Sequence, residues 1–493
     1  MDVFQLEQRL QKLEKASHAL HLRSDKRTQM TAQVNEVIES FLEKRETMPA
    51  YTDTDDSVLA ELDTVPQEGP GSLSDLLSLY CQAVAESGAN TNIGRFFGFI
   101  PGSALYAGAL GDYLGAATNP FAGVTYGSPG AVRMERSLTR WIANFIGYPD
   151  TALGDLTSGG SMATLSAVTT ARHAWGIGVS QVEKAVVYLS PHTHYCLEKA
   201  LKIIGMGECV RRQVKLTADY RMDPQALKQL IEADLAQGFM PWLVVATAGA
   251  TDTGTVDPLD AIADVAHEYG LWFHVDGAYG ASFALTTEGK SILKGLERSD
   301  SMVLDPHKGL FLPYGSGVVL IRDGRKLQCA YSVAGHCVQD ALPHEVAAVS
   351  PANTSPELTR HFRGPRLWLP VRLAGVSAFR DALEEKLLLA RYAYRQFGTI
   401  DHIELGPPPD LSSFTFRFLP QKGSADDINK HIVDLIREDG RIFLSSTRVA
   451  NRFVLRMAIL SIQTHKADVD LAVEVLREIA SSVISYSREE VCL

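Results

Sequence analysis

The chain has 493 residues, 45% of them hydrophobic, with 47 Lys+Arg against 58 Asp+Glu for a net charge of −11. That length supports a large core split into two or three subdomains, and the acidic balance argues against a nucleic-acid-binding surface. Six cysteines without a CxxC pair exclude a disulfide scaffold or zinc site, and no apolar run approaches the roughly 20 residues of a membrane span.

In chain order, residues 1–48 read as helical throughout. Leu6, Leu10, Leu13 and Leu20 form a stripe with charges between them, suited to packing against a partner subunit. The start "MDVFQLEQRLQKLEKA" has no long apolar core, so no signal peptide is expected and a cytoplasmic chain is the default. Residues 52–72 form an acidic connector, followed by a helix over "SLSDLLSLYCQAVAE". A Gly- and aromatic-rich stretch over 95–130 suits the lining of a pocket. From 131 to about 322, β-rich runs alternate with helices: "KAVVYLS", "WLVVATAG", "LWFHVDGA", "SMVLDPH" and "GVVLIRD". Continuous apolar strands between helices predict a mostly parallel sheet covered on both faces, with ligands beyond the carboxyl ends of its strands. Residues 326–361 carry few structural signals and read as a binding loop or lid. "SSFTFRFLP", "SADDINKHIVDLIRE", "RFVLRMAIL" and "KADVDLAVEVLREIA" complete a smaller α/β unit.

The residues that carry chemistry fall at strand ends. In "LTSGGSMATLSAVTTAR", the backbone N–H groups of Gly159, Gly160 and Ser161 open a helix and suit a phosphate, although such turns open many helices. "FHVDGAYG" ends a strand on Asp276, which needs a partner, whether a cap, a cation or a ligand. "LSPHTHYCLEKA" adds His192 and His194, and "LDPHKGLFLPYGSG" sets Lys308 among apolar residues. Pyridoxal 5′-phosphate needs all four features. A lysine whose pKa desolvation lowers forms the Schiff base, an Asp keeps the pyridine nitrogen protonated, a flat ring stacks and a helix N-terminus takes the phosphate.

At these residues the chain resembles the pyridoxal-phosphate-dependent group II amino-acid decarboxylases, which include aromatic-L-amino-acid, histidine and tryptophan decarboxylases. The resemblance spans about 75–465 and is carried by "HVDGAYG", "SDSMVLDPHKGLFLPYGSG", "RFFGFIPG", "SGGSMAT", "HTHYCLEKA" and "ATAGATDTGTVDPL". It implies a fold-type I (aspartate-aminotransferase-like) α/β architecture with a mostly parallel central sheet, and an obligate homodimer with shared active sites. The expected parts are an N-terminal helical dimerisation segment (1–90), a large cofactor domain (91–375) and a small C-terminal α/β domain (376–493).

Carried over by position, Lys308 is the Schiff-base lysine, with His307 and Asp305 beside it near the phosphate. Asp276 pairs with the pyridine nitrogen, Ala278 packs under the ring and His194 stacks on its other face. Gly159, Gly160 and Ser161 hold phosphate, and Thr247 contacts the cofactor. Phe96, Phe97, Phe99 and Pro101, with Phe121 nearby, line the substrate pocket. Three departures stand out: Asp305 where many members have asparagine (although "DPHK" occurs in a bacterial subgroup), Ser316 where many have cysteine, and a loop without the tyrosine that returns a proton in many members. Cys337 falls near one position that tyrosine could take, and His336 and His344 are either candidate substitute acids or solvated loop histidines. The expected activity is decarboxylation of an aromatic L-amino acid to the amine and CO2. Its rivals are an oxidative outcome giving an aldehyde, another pyridoxal-phosphate lyase or aminotransferase reaction, a non-catalytic regulatory homologue, and, from a different class, a metal-dependent hydrolase built on "HTH", "HVD" and "DPH".

Overall fold

The computed structural model describes residues 2–65, 68–100, 102–332 and 349–486. The chain divides into two compact units, residues 1–93 and 94–493.

The first unit holds α1 (Val3–Ser17), α2 (Ser24–Lys44) and α3 (Leu73–Tyr80), none of which contains a buried residue. The single helix expected over 1–48 is therefore interrupted. Asp2 and Gln5 form a capping box that starts α1. Past Ser17 the chain tightens into a 3-10 turn, His18–Leu20, and leaves helical geometry at His21, with φ −104° and ψ 85°. The Leu6, Leu10 and Leu13 stripe is exposed.

The second unit is built on a seven-stranded sheet. Its strands are β1 (Leu153–Thr157), β2 (Ala185–Leu189), β3 (Val210–Gln213), β4 (Met240–Thr247), β5 (Trp272–Asp276), β6 (Ser301–Leu304) and β7 (Gly317–Ile321), in the spatial order β1-β7-β6-β5-β4-β2-β3. β7 runs antiparallel to both its neighbours, and the other four pairings are parallel. The expected mostly parallel sheet is thus present, with one reversed strand. The reversal follows from the connection: residues 305–316 turn straight back beside β6 with no crossover helix.

Both faces of this sheet are covered, and its strands alternate accordingly. Val186, Tyr188, Val244, Ala246, Phe273 and Val275 enter one core, and Val187, Leu189, Leu243, Val245, Trp272 and Val303 enter the other. Each such side chain contributes roughly 1.5–3 kcal/mol when fully buried. A second, four-stranded antiparallel sheet comprises β8 (Ile403–Leu405), β9 (Ser413–Phe418), β10 (Ser445–Val449) and β11 (Arg452–Ala458) in the order β8-β9-β11-β10. The helix Gly364–Phe397 leads into it and breaks at Gly375, whose φ of 76° and ψ of 157° are not helical.

The helix Tyr106–Thr118 turns Gly108, Gly111 and Gly115 inward. A Cβ at Gly111 would lie 2.3 Å from the Pro365 carbonyl oxygen, so only glycine permits this approach. Its other residues Tyr106, Leu110, Tyr113 and Leu114 are exposed.

One buried ionic cluster ties β1 to the segment that follows residue 348. Arg360 donates to Asp155 Oδ1 at 2.6 Å, to Glu135 Oε2 at 3.0 Å and to the Leu156 carbonyl at 2.7 Å. Burial pushes the Glu135 carboxyl up to about 7 and raises that of Asp155, in each case against the pull of Arg360. Removing the guanidinium leaves Asp155 without its ion-pair partner and leaves Glu135 only the Arg363 and Gly364 N–H groups on its Oε1. Arg360→Met is expected to cost about 3–5 kcal/mol of stability. Urea denaturation of the variant measures it, and a loss below about 1 kcal/mol would contradict this account.

Candidate functional site

The strand ends of the large sheet deliver their polar residues to one place. Thr247 ends β4 and Asp276 ends β5, side by side in register. His192 and His194 follow β2, Asp305 and Lys308 follow β6, and Gly159 and Gly160 follow β1. Together they line a cavity of about 300 Å³, which also includes Ser161, Ala278 and His307. That volume is at the small end of the roughly 300–1,000 Å³ typical of ligand sites.

Lys308 sits in the single helical turn Pro306–Gly309. Its Nζ lies 3.0 Å from Asp305 Oδ2. Burial pulls its pKa down, but the carboxylates of Asp305 and Asp276 outweigh burial and leave it raised above the ordinary lysine value. This corrects the expectation that desolvation leaves the lysine easily deprotonated: the same dry setting strengthens its attraction to two anions. Asp305 Oδ1 is buried with no hydrogen-bond partner, and its Oδ2 is also 3.8 Å from His307 Nε2.

The imidazoles differ in state. His194 Nδ1 accepts the Cys196 N–H at 3.3 Å, so that nitrogen carries no proton, and burial holds the ring below the usual histidine range. His307 Nδ1 donates to the Ser316 carbonyl at 2.5 Å, and burial likewise lowers it. His192 lies 3.5 Å from Asp252 Oδ2, yet both its ring nitrogens are shielded and neither makes a hydrogen bond. Behind Asp276, His274 is buried against Ser301 Oγ at 2.8 Å and is pushed down to about 4, first by burial.

The turn before the helix Gly160–Trp175 is shaped for close approach. Gly159 has φ 151° and ψ 176°, a conformation essentially restricted to glycine. A Cβ on Gly160 would fall 2.8 Å from Asp305 Oδ2 and 3.4 Å from the Ala278 Cβ. Thr247 receives a firm seat: its N–H donates to Asp257 Oδ2 at 2.8 Å, and its own Oγ1 is buried with no partner.

The aromatic residues expected around the substrate are placed elsewhere. Phe96 stacks on Phe443 at 4.7 Å, and Phe97 lies in the core of the antiparallel sheet. Backbone bonds from Phe97 N–H to the Phe443 carbonyl and from Ala458 N–H to the Phe97 carbonyl fix both. Phe99 and Phe121 are exposed, and none of the four is among the cavity's described lining residues. Pro101, His336, Cys337 and His344 lie outside the described residues. The cavity also includes Thr164, Cys196 and Tyr279, which sequence reasoning did not single out. Cys196 alone had a signal, standing two residues after His194. The imidazoles and carboxylates of "HTH", "HVD" and "DPH" do not assemble into a metal site: no group of three or more such ligands occurs among the described residues. Nor is any described helix long and apolar enough to cross a membrane.

Comparison with known proteins gives a concordant result. Residues 57–418 match the pyridoxal-dependent decarboxylase conserved domain. The chain is 31% identical over 477 residues to an aromatic-L-amino-acid decarboxylase of Bacillus atrophaeus, covering 95% of this chain and 99% of that one. It is 28% identical to a phenylacetaldehyde synthase of Arabidopsis thaliana, covering 79% and 82%. Among solved structures, Oryza sativa TDC with PLP and tryptamine superposes with a TM-score of 0.89 at 25% identity, covering 94% and 99%.

The tight contact at Gly160 yields a test. Gly160→Ala forces the turn or Asp305 to shift, and is expected to weaken pyridoxal 5′-phosphate binding roughly tenfold or more. An absorbance titration measures this, with a thermal melt of the cofactor-free variant to show that the fold persists; unchanged affinity would contradict it.

Proposed function

This chain belongs to the pyridoxal-dependent decarboxylases, and on that premise we propose that it converts an aromatic L-amino acid to the amine and CO2, with Lys308 as the lysine that holds the cofactor. It is a pyridoxal 5′-phosphate-dependent amino-acid decarboxylase of fold type I. The observation that carries the residue assignment is the convergence of Lys308, Asp276, His194 and the Gly160 turn on one cavity at the carboxyl edge of the sheet.

The residues fit the cofactor. Thr247 Oγ1, a buried polar atom without a protein partner, belongs to a residue lining the cavity, and a Cβ at residue 160 would fall 2.8 Å from Asp305 Oδ2, so the glycine turn there leaves room for close approach. When bound, the group supplies an electron-withdrawing ring that accepts the electron pair of the bond broken at the α-carbon. Asp276 provides the anion that holds a proton on the ring nitrogen, its own Oδ1 steadied by the Ala278 N–H at 3.1 Å. His194, neutral with Nδ1 already engaged, offers a flat face for stacking without adding charge. The backbone N–H groups of Gly160 and Ser161 receive the phosphate, with Gly159 setting their direction.

The aromatic substrate follows from two supports. Relatives of this chain are described as aromatic-amino-acid decarboxylases, and Lys308 is the only lysine or arginine among the described lining residues. No second cation is placed there to read an acidic side chain. The homodimer is part of the same proposal: the exposed apolar faces of α1 and of the helix Tyr106–Thr118, together with exposed Phe99 and Phe121, suit coverage by a second copy. In that arrangement Phe99 and Phe121 serve the substrate pocket across the subunit boundary.

A second outcome is favoured by one observation. Residues 333–391 contain no tyrosine, and a relative is described as a phenylacetaldehyde synthase. Decarboxylation followed by reaction with dioxygen would then give an aldehyde, ammonia and peroxide.

Borohydride reduction of the holoenzyme followed by peptide mapping is expected to label Lys308; a label elsewhere would sink the assignment. Lys308→Ala should lower turnover by at least about a thousandfold with the melting temperature nearly unchanged. A screen of L-amino acids for CO2 release is expected to favour aromatic side chains. In the same reactions under air, amine as the main product supports the first outcome, and peroxide equal to CO2 supports the second.

A further inference from the structure

Decarboxylation leaves an electron pair on the α-carbon, and an amine forms only if an acid supplies a proton there. Few described cavity groups can do so at neutral pH. Burial holds the His194 and His307 rings below the usual histidine range, and His194 Nδ1 already accepts the Cys196 N–H. The Cys196 thiol is pushed up to about 12 by burial. The Tyr279 hydroxyl is buried between the Ser412 hydroxyl and N–H, at 2.7 Å from each. Both nitrogens of His192 are shielded. Lys308 remains, an ammonium 3.0 Å from Asp305, whose carboxyl group is almost wholly buried and has one oxygen unpartnered.

We propose that Asp305 keeps Lys308 charged during turnover, and that Lys308 is the acid that returns the proton to the α-carbon. This rests on the assignment of Lys308 as the cofactor lysine. Once substrate has displaced it, the free lysine sits beside an anion that favours its ammonium form. The Nζ–H bond then breaks as the Cα–H bond forms on the pair left by CO2. Lys308 is left as a neutral amine, the form able to bond again to the cofactor and release product. Overall, one solvent proton is consumed per amino acid converted to amine and CO2. Asp305 acts through Lys308 and is a positioning residue. Among the described residues its carboxylate has no other buried cation at comparable distance; His307 lies at 3.8 Å, and burial holds its ring below the usual histidine range.

The charged and titratable groups facing Lys308 are Asp305, Asp276, His194, His307 and Cys196. Of these, Asp305 alone forms an ion pair with Nζ. The sign is fixed: removing an anion lowers the lysine's pKa, so the donor form is lost at a lower pH.

The experiment uses Asp305→Asn, with Asp305→Glu as the conservative control. In cofactor-free protein, capture of the aldehyde needs the neutral amine, so its rate falls about tenfold per pH unit below the lysine's pKa. Asp305→Asn is expected to capture pyridoxal at least about tenfold faster at neutral pH, with its pH midpoint moved down by about a unit or more. Pyridoxal has no phosphate, so the gain cannot come from relief of phosphate repulsion. In turnover under air, the variant's amine fraction should fall and aldehyde with peroxide should rise, most at alkaline pH, and Asp305→Glu should restore the wild-type ratio. An unchanged capture profile overturns the proposal. So does an unchanged product ratio, or a shift produced instead by His336→Asn or His344→Asn. A borohydride label away from Lys308 in the wild type would mark failure of the underlying assignment instead.

Discussion

Coverage of the seven-stranded sheet on both faces is the constraint on which the site depends. Strands β2, β4 and β5 alternate apolar residues between two cores, so no polar side chain along most of their length can reach water or a ligand. Polar chemistry is thereby pushed to the strand ends. Thr247 and Asp276 mark the last residues of β4 and β5, and Lys308 lies in the turn just beyond β6. The cavity is where this topology can expose functional groups without leaving backbone or side-chain dipoles unsatisfied in the core. His274 shows the cost of breaking the rule. Two residues inside the edge, it is sealed against Ser301 and driven towards neutrality.

The reversed strand β7 has a role in the same scheme. Because the chain returns directly from β6 to β7, the connecting residues 305–316 stay at the sheet edge. The Asp305 N–H donates to the Ala278 carbonyl, and the Leu312 N–H to the Pro306 carbonyl, which fixes the turn at both ends. A Cβ at Gly317 would lie 2.5 Å from the carbonyl carbon of Gly159, so β7 also presses against the anion-binding turn. Lysine and helix N-terminus are therefore set by one compact contact around Gly159, Gly160, Asp305 and Gly317.

Much of this was legible in the sequence, for identifiable reasons. Strand ends show themselves by an apolar run stopping at a charged or small residue, and Asp276, Lys308 and the Gly159–Gly160 turn all carry that signature. The sheet's mostly parallel character followed from helices between apolar strands. Other features depend on contacts that a local pattern does not encode. Phe96 and Phe97 looked like pocket residues by composition, yet the ring of Phe443, distant in sequence, recruits Phe96 into a stack. The sign of the lysine's shift is not encoded locally, because Asp305 stands three residues away in sequence and nothing in the pattern sets where its carboxylate points. Only the turn geometry brings Oδ2 to Nζ. The break at His21 is hidden because the leucine stripe runs unbroken up to Leu20.

The antiparallel sheet is more than an appended unit. Thr447 on β10 donates to Asp252 Oδ1 at 2.7 Å, and Arg456 on β11 donates to the Thr251 carbonyl. Asp252 in turn faces the His192 ring, with Oδ2 3.5 Å from Nδ1. Tyr279, a cavity residue, is gripped by Ser412 at the entrance to β9. Arg221 and the Val256 N–H meet on Asp410 from the large-sheet side. Three separate loops of the parallel sheet are thus anchored to the smaller sheet by charge-assisted or buried hydrogen bonds. Such bonds are expensive to leave unmade once their partners are desolvated. A displacement of the small sheet would therefore have to break several of them together, which makes it a supporting wall of the cavity.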